Sequence, residues 1–179
     1  MIALLPLLMP PTLQNQGRIQ DFTLSFGGDL MFEGITPRKQ PLEPLMPIFR
    51  SSEIACANLE SPLTIVKATT KRKSALELRR HQQYILGGNP KFASEISKAG
   101  IEFVTLANNH TMDHQTAGLR QDTAVLAGAG IHFAGAGANR SQAMGMTVIN
   151  SNGTRIGFLS ALAFMTPGAL YKCTPATST

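Results

Sequence analysis

The sequence predicts an α/β domain with a partly parallel sheet covered by helices. Three observations carry this. Short apolar strands alternate with helical stretches in the order strand, helix, strand, helix, strand. One strand, Ile54 to Leu59, has almost no polar residues and so reads as buried on both faces. Near the end, Asn152-Gly153 sits between two apolar runs, the strongest short signal for a hairpin.

Along the chain, Asp21-Phe-Thr-Leu-Ser-Phe26 alternates apolar and polar residues and predicts a strand, broken sharply by Gly27-Gly28-Asp29. Pro41 to Arg50 predicts a short helix. The best-marked helix follows the buried strand: Asn89 as its cap, Pro90 in its first turn, Phe92, Ile96 and Ala99 as one stripe, and Gly100 as its end. Ile101 to Leu106 predicts a strand. Asp113 or Thr111 is expected to cap a helix running to about Leu126 and closed by Gly128-Ala-Gly130. Ile131 to Ala134 is a short strand, and Met146 to Ile149 with Arg155 to Leu159 form the hairpin.

Composition bounds the function. A chain of 179 residues with 43% hydrophobic content suits one globular domain and excludes wholesale disorder. The net charge is +5, but six basic residues and one acid between Lys67 and His81 account for all of it. The rest of the surface carries no broad basic footprint, and that segment has almost no aromatic residue to stack on a base, so nucleic acid is not an expected partner. The basic segment reads as a solvated excursion between two elements, with a polyanion or anionic lipid as the sharper alternative. Cys56 reads as a buried thiol, and Cys173 lies in a polar tail. The apolar start, Met1 to Pro11, is too short to span a bilayer and has no basic residue before it. A clipped leader and an ordinary N-terminus both remain open for residues 1–19, with a domain over 20–162 and a polar tail over 163–179.

Candidate chemistry gathers at strand ends, where open α/β sheets bind ligands. The first strand ends in Asp29, the second in Asn58-Leu59-Glu60, the third in Asn108-Asn109-His110. In an extended Asn58-Leu59-Glu60 the two polar side chains share a face and Leu59 points to the core. His110 can bind a metal or move a proton near neutral pH, and Asp113 lies one helical turn on, placed to orient its ring. Each cluster alone is ordinary: a turn aspartate, a surface charge, a loop before a helix. Their shared position at strand ends is what points to a site. His81, His114 and His132 read as structural or solvent-facing.

Phe26-Gly-Gly-Asp-Leu-Met31, Ala57-Asn-Leu-Glu-Ser-Pro-Leu-Thr64 and Ala99 to Asp113, with its Ala-Asn-Asn-His-Thr-Met-Asp, resemble in order the motifs of CapA-type proteins of bacterial capsule and poly-γ-glutamate synthesis. Ala134-Gly-Ala-Gly-Ala-Asn139 and the hairpin match as well, so the resemblance covers residues 20–162. That family is similar in fold to calcineurin-like metallophosphoesterases, an α/β/β/α sandwich with a dinuclear metal site. The resemblance implies Asp29, Asn58, Glu60 and Asn109 as metal ligands and His110, with Asp113, as the group assisting phosphoryl transfer.

The wider fold supplies further histidines, including a His-x-His pair, whereas this chain has no histidine after His132. The expectation is the N-terminal part of the fold, with an unpaired sheet edge and an incomplete site that prefers manganese or magnesium over zinc. Three functions follow as expectations: an accessory factor of capsule assembly that binds an acidic polymer or the synthesis machinery, a metal-dependent phosphoester hydrolase, or an inactive truncated product. The resemblance places the protein at the cell envelope, with membrane association left open.

Overall fold

The computed structural model describes residues 21–67 and 73–163. The expectations for the leader, for all but the first residue of the polar tail, for Cys173 and for Lys71 and Arg72 lie outside the described residues.

Four parallel strands form one sheet in the order β1 (Leu24–Leu30), β2 (Ile54–Leu59), β3 (Ile101–Thr105) and β4 (His132–Ala134). The expected break at Gly27-Gly28-Asp29 does not occur. The strand runs through the glycines to Leu30, and the register against β2 slips between Phe26 and Asp29 instead. Glycine is needed at 27 for contact rather than for a turn: a Cβ there would lie 3.1 Å from the Phe49 ring.

β2 is buried on both faces, as its composition predicts. Ala55, Ala57 and Leu59 join the larger core with Phe32, Phe92, Ile96 and Val104. Ile54 and Cys56 face the other way, into a smaller core with Phe103, Ala134, Ile149 and Phe158. Burial pushes the Cys56 thiol up to about 11, with the nearby Glu102 carboxylate adding to the effect.

Between β1 and β2 the expected helix is reduced to a 3₁₀ turn, Glu43–Leu45, running into α1 (Met46–Phe49). Pro44 and Pro47 lack the N–H groups that a longer helix would need. The basic excursion contains a short helix, α2 (Ala75–Arg79), opened by a reciprocal Ser74–Glu77 capping box. α3 (Phe92–Ala99) buries the expected stripe and ends at Gly100, φ +89°. It starts later than predicted because Asn89 and Pro90 build a preceding turn, with Asn89 Oδ1 accepting from Lys91 N at 3.0 Å.

α4 (Gln115–Gly128) is capped neither by Thr111 nor by Asp113. The Thr111 hydroxyl donates to the Leu106 carbonyl, and Asp113 is engaged by other groups. α5 (Arg140–Ala143) is capped by Asn139. The hairpin β5 (Thr147–Ser151) and β6 (Thr154–Phe158) turns through Asn152 at φ 49° and Gly153 at φ 77°, both left-handed as its tight turn requires. It packs on the sheet with Phe158 stacked on Phe103, ring centres 4.2 Å apart. A mixed α/β fold with a four-stranded parallel sheet and helices, and a two-stranded hairpin sheet packed on it, is consistent with a metallophosphoesterase-like architecture.

Candidate functional site

Because β1, β2 and β3 are parallel neighbours, their carboxyl ends form one rim. The register sets Asp29, Asn58 and Thr105 side by side across it. Asn58 ties the row together. Its Nδ2 donates to Asp29 Oδ1 at 2.7 Å, and its Oδ1 accepts from Thr105 Oγ1 at 2.9 Å and Asn108 Nδ2 at 3.1 Å.

Asn108 then shapes the loop after β3. It donates to the Leu59 carbonyl at 2.8 Å and accepts, through Oδ1, the backbone N–H groups of His110 and Thr111, both at 3.0 Å. The loop is thereby wound back onto the end of β2, which brings His110 to Glu60: Nε2 lies 3.7 Å from Glu60 Oε1.

His110 is buried, and its ring is held from behind. Nδ1 lies 2.8 Å from Asp113 Oδ2. A carboxylate can only accept, so Nδ1 carries the hydrogen in this contact and Nε2 faces Glu60. Asp113 is itself fully buried. Its Oδ1 is ion-paired with the Lys73 ammonium, and its Oδ2 also accepts the Leu86 N–H at 2.8 Å. Lys73 further donates to the Tyr84 carbonyl at 2.5 Å and lies 3.2 Å from His110 Nδ1. Asn109 is half-buried, and among the described residues no hydrogen bond engages its side chain.

The predicted residues thus fall into two linked groups, Asp29 with Asn58 and Glu60 with His110 and Asp113, joined through Asn108. Lys73 and Thr105 are partners that sequence reasoning did not assign, and Asn108, named within the third cluster, proves to be the link between the two groups. Lys73 in particular was expected in a solvated excursion, yet its side chain is 4% exposed. Nothing in the spacing of a basic run marks one lysine as buried. Of the other histidines, His81 and His132 are exposed as expected, and His114 is half-buried with Nε2 3.0 Å from the Leu86 carbonyl.

Behind Glu60, α4 holds the next stretch of chain. Asp122 Oδ1 accepts the Leu63 N–H at 2.9 Å, and Gln121 Oε1 accepts from Thr64 Oγ1 at 2.6 Å and Ile65 N at 2.8 Å. Asp122 is buried, its Oδ2 has no hydrogen-bond partner among the described residues, and desolvation pushes its carboxyl up to about 7 against the opposing Leu63 hydrogen bond.

As metal donors, the Asp29 and Glu60 carboxylates, the Asn109 amide and His110 Nε2 have the hard-oxygen and single-imidazole chemistry that suits manganese or magnesium. Their number falls short. The Asn58 oxygen is already engaged, and among the described residues no group of three or more His, Cys, Asp or Glu is placed to hold an ion.

Residues 23–176 match the family model described as bacterial capsule synthesis protein PGA_cap. The chain belongs to that family. It is the CapA family of the metallophosphoesterase-like superfamily, a family described by bacterial capsule synthesis. Two uncharacterized proteins of Sinorhizobium fredii (strain NBRC 101917 / NGR234), y4sH and y4uA, are each 30% identical over 87 residues, covering 49% of this chain and 19% of theirs. The chain thus matches about a fifth of the length of those relatives. Among the described residues no helix is long and apolar enough to cross a membrane.

Proposed function

We propose that this CapA-family chain serves capsule or poly-γ-glutamate assembly through an acid–base and ion-binding site at the rim of its parallel sheet. In this reading Asp29, Glu60 and Asn109 offer oxygens to a weakly held manganese or magnesium ion, Asn58 fixes Asp29, and His110 oriented by Asp113 moves a proton. The site is incomplete as built from the described residues, and further donors from outside them would complete it. The substrate is anionic, an acidic polymer or a phosphoester, and the site works at the outer face of the membrane with the synthesis machinery as partner.

One observation carries the reading. The His110 ring is clamped at Nδ1 by a buried carboxylate while Nε2 is presented to Glu60, 3.7 Å away, at the strand-end rim. A histidine needed only for packing has no use for a buried ion pair behind it. General acid–base groups need this arrangement, because proton transfer depends on a fixed ring and a fixed tautomer.

The same clamp favours a second reading, an active metal-dependent phosphoester hydrolase. Manganese binding by calorimetry and phosphodiesterase turnover, measured on the full chain and on His110→Ala, separate the two. Metal-stimulated turnover abolished by the substitution supports the hydrolase. Binding without turnover supports the accessory role. No manganese binding in either protein overturns the ion site and leaves an inactive product.

A further inference from the structure

We propose that Lys73 is a positioning residue for His110, and that the strap from Lys73 to Leu86 is the second half of the acid–base device. The proposal rests on His110 being the acid–base group.

Asp113 is the knot of this strap. One oxygen takes the Lys73 ammonium at its start, and the other takes the Leu86 N–H at its end, 2.8 Å away. The stretch between, with α2 and exposed Arg79, Arg80 and Tyr84, is therefore closed on a single buried carboxylate. Tyr84 closes it a second time by accepting from Lys73 at 2.5 Å. Beyond Leu86, Gly87 N donates to Glu33 Oε2 at 2.7 Å, and Gly88 exchanges backbone bonds with Pro62 and Thr64, both 2.9 Å, two to four residues after Glu60. The strap thus joins all three strand-end loops, including the Asp113 that holds the catalytic ring.

Charge explains why a lysine is needed. A carboxylate with no exposure is strongly disfavoured unless a counter-charge and hydrogen bonds accompany it. Lys73 supplies the counter-charge and occupies Oδ1, which leaves Oδ2 to accept from Nδ1–H. The ammonium lies 3.2 Å from the same Nδ1 but cannot donate to a nitrogen that already carries its hydrogen. Lys73 therefore fixes the tautomer through Asp113: Nδ1–H toward the carboxylate, Nε2 toward Glu60. It touches no reacting atom, and its effect reaches the site through two other side chains.

The test uses the full chain with nitrogen-15-labelled imidazoles, the four histidines being assigned by single His→Gln replacements. In the parent protein His110 is expected to give separate, tautomer-specific shifts for its two nitrogens. Lys73→Met should bring these toward averaged values while circular dichroism stays native, and Lys73→Arg, which keeps a cation, should restore them. Unchanged His110 shifts in a folded Lys73→Met protein overturn the proposal. If that variant does not fold, Lys73→Gln carries the same comparison against Lys73→Arg, and equal His110 shifts in those two overturn it equally. Where the chain turns over a phosphodiester, Lys73→Met should lower kcat about 10- to 100-fold with little change in KM, as for partners that orient metal-site or acid–base histidines. A chain with no turnover removes the functional reading of His110 but leaves the shift comparison standing, so the two failures are distinguishable.

Discussion

Two buried aspartates nine positions apart meet the same problem differently. Asp113, just before α4, is surrounded: an ammonium on one oxygen, and an imidazole and a backbone N–H on the other. Asp122, in the middle of α4, has one backbone N–H on one oxygen and, among the described residues, no hydrogen bond on the other. Desolvation dominates at Asp122 and pushes its carboxyl up to about 7, so it is half-neutral near physiological pH. The difference separates a carboxylate matched on both oxygens from one matched on a single oxygen. Of the two, Asp113 takes the ion pair and holds the His110 ring, and Asp122 serves as a splint for the Leu63 backbone.

The comparison predicts its largest effect at Asp113. Asp113→Ala removes three partnerships and strands the Lys73 ammonium in the interior, so unfolding stability should fall by about 3–5 kcal/mol. Urea denaturation measures this. The double substitution Lys73→Met with Asp113→Leu leaves no stranded charge and should recover most of the loss. A single Asp113→Ala loss below about 1 kcal/mol would mean that the ion pair is solvated and the contrast with Asp122 is false.

The next effect is in pH dependence. The folded-state value of about 7 at Asp122 lies above its ordinary 3.8, so between those values the folded protein holds a proton that the unfolded chain has lost. Its contribution is therefore fully present below about pH 4 and declines as pH rises through 7, by up to about 1.4 kcal/mol per pH unit. Asp122→Asn keeps the acceptor for Leu63 and cannot ionise. Denaturation curves at pH 4 and pH 8 should show the variant matching the parent at the lower pH and exceeding it at the higher. Parallel pH profiles would show that Asp122 has a charged partner after all.

This pair also shows how much was legible beforehand. The strands β2 and β3, the helix α3 and the hairpin announce themselves through apolar runs, Gly100 and Asn152-Gly153, because local signals set them. The placement of Asp29, Glu60 and His110 on one rim was legible because parallel neighbouring strands end on the same side. The pairing of Lys73 with Asp113 was not legible. The lysine sits in a basic run that composition reads as solvated, and its partner is 40 residues away, so only tertiary folding brings them together. Asp122 was equally hidden, since nothing local shows that a mid-helix carboxylate faces the Leu63 backbone. Gly27 misled for a related reason: a glycine that would break an isolated strand is tolerated where the Phe49 ring packs closely against it.

The smallest effect sharpens the role given to Asp122. If it is a splint for Leu63 alone, the neighbouring Gln121 must act separately on Thr64 and Ile65. Gln121→Ala should then cost about 1–2 kcal/mol, because water replaces the acceptor at exposed Ile65 while the buried Thr64 hydroxyl loses its own. Amide hydrogen exchange locates that loss. The Ile65 N–H should exchange faster in Gln121→Ala, while the Leu63 N–H, held by Asp122, keeps its protection. Combining Gln121→Ala with Asp122→Ala measures the coupling between the two splints, and near-additive losses fit two independent contacts on successive residues. Faster exchange at Leu63 in Gln121→Ala would make the two side chains a single clamp on the segment that follows Glu60. A loosened α4 would then disturb the rim as well as the fold.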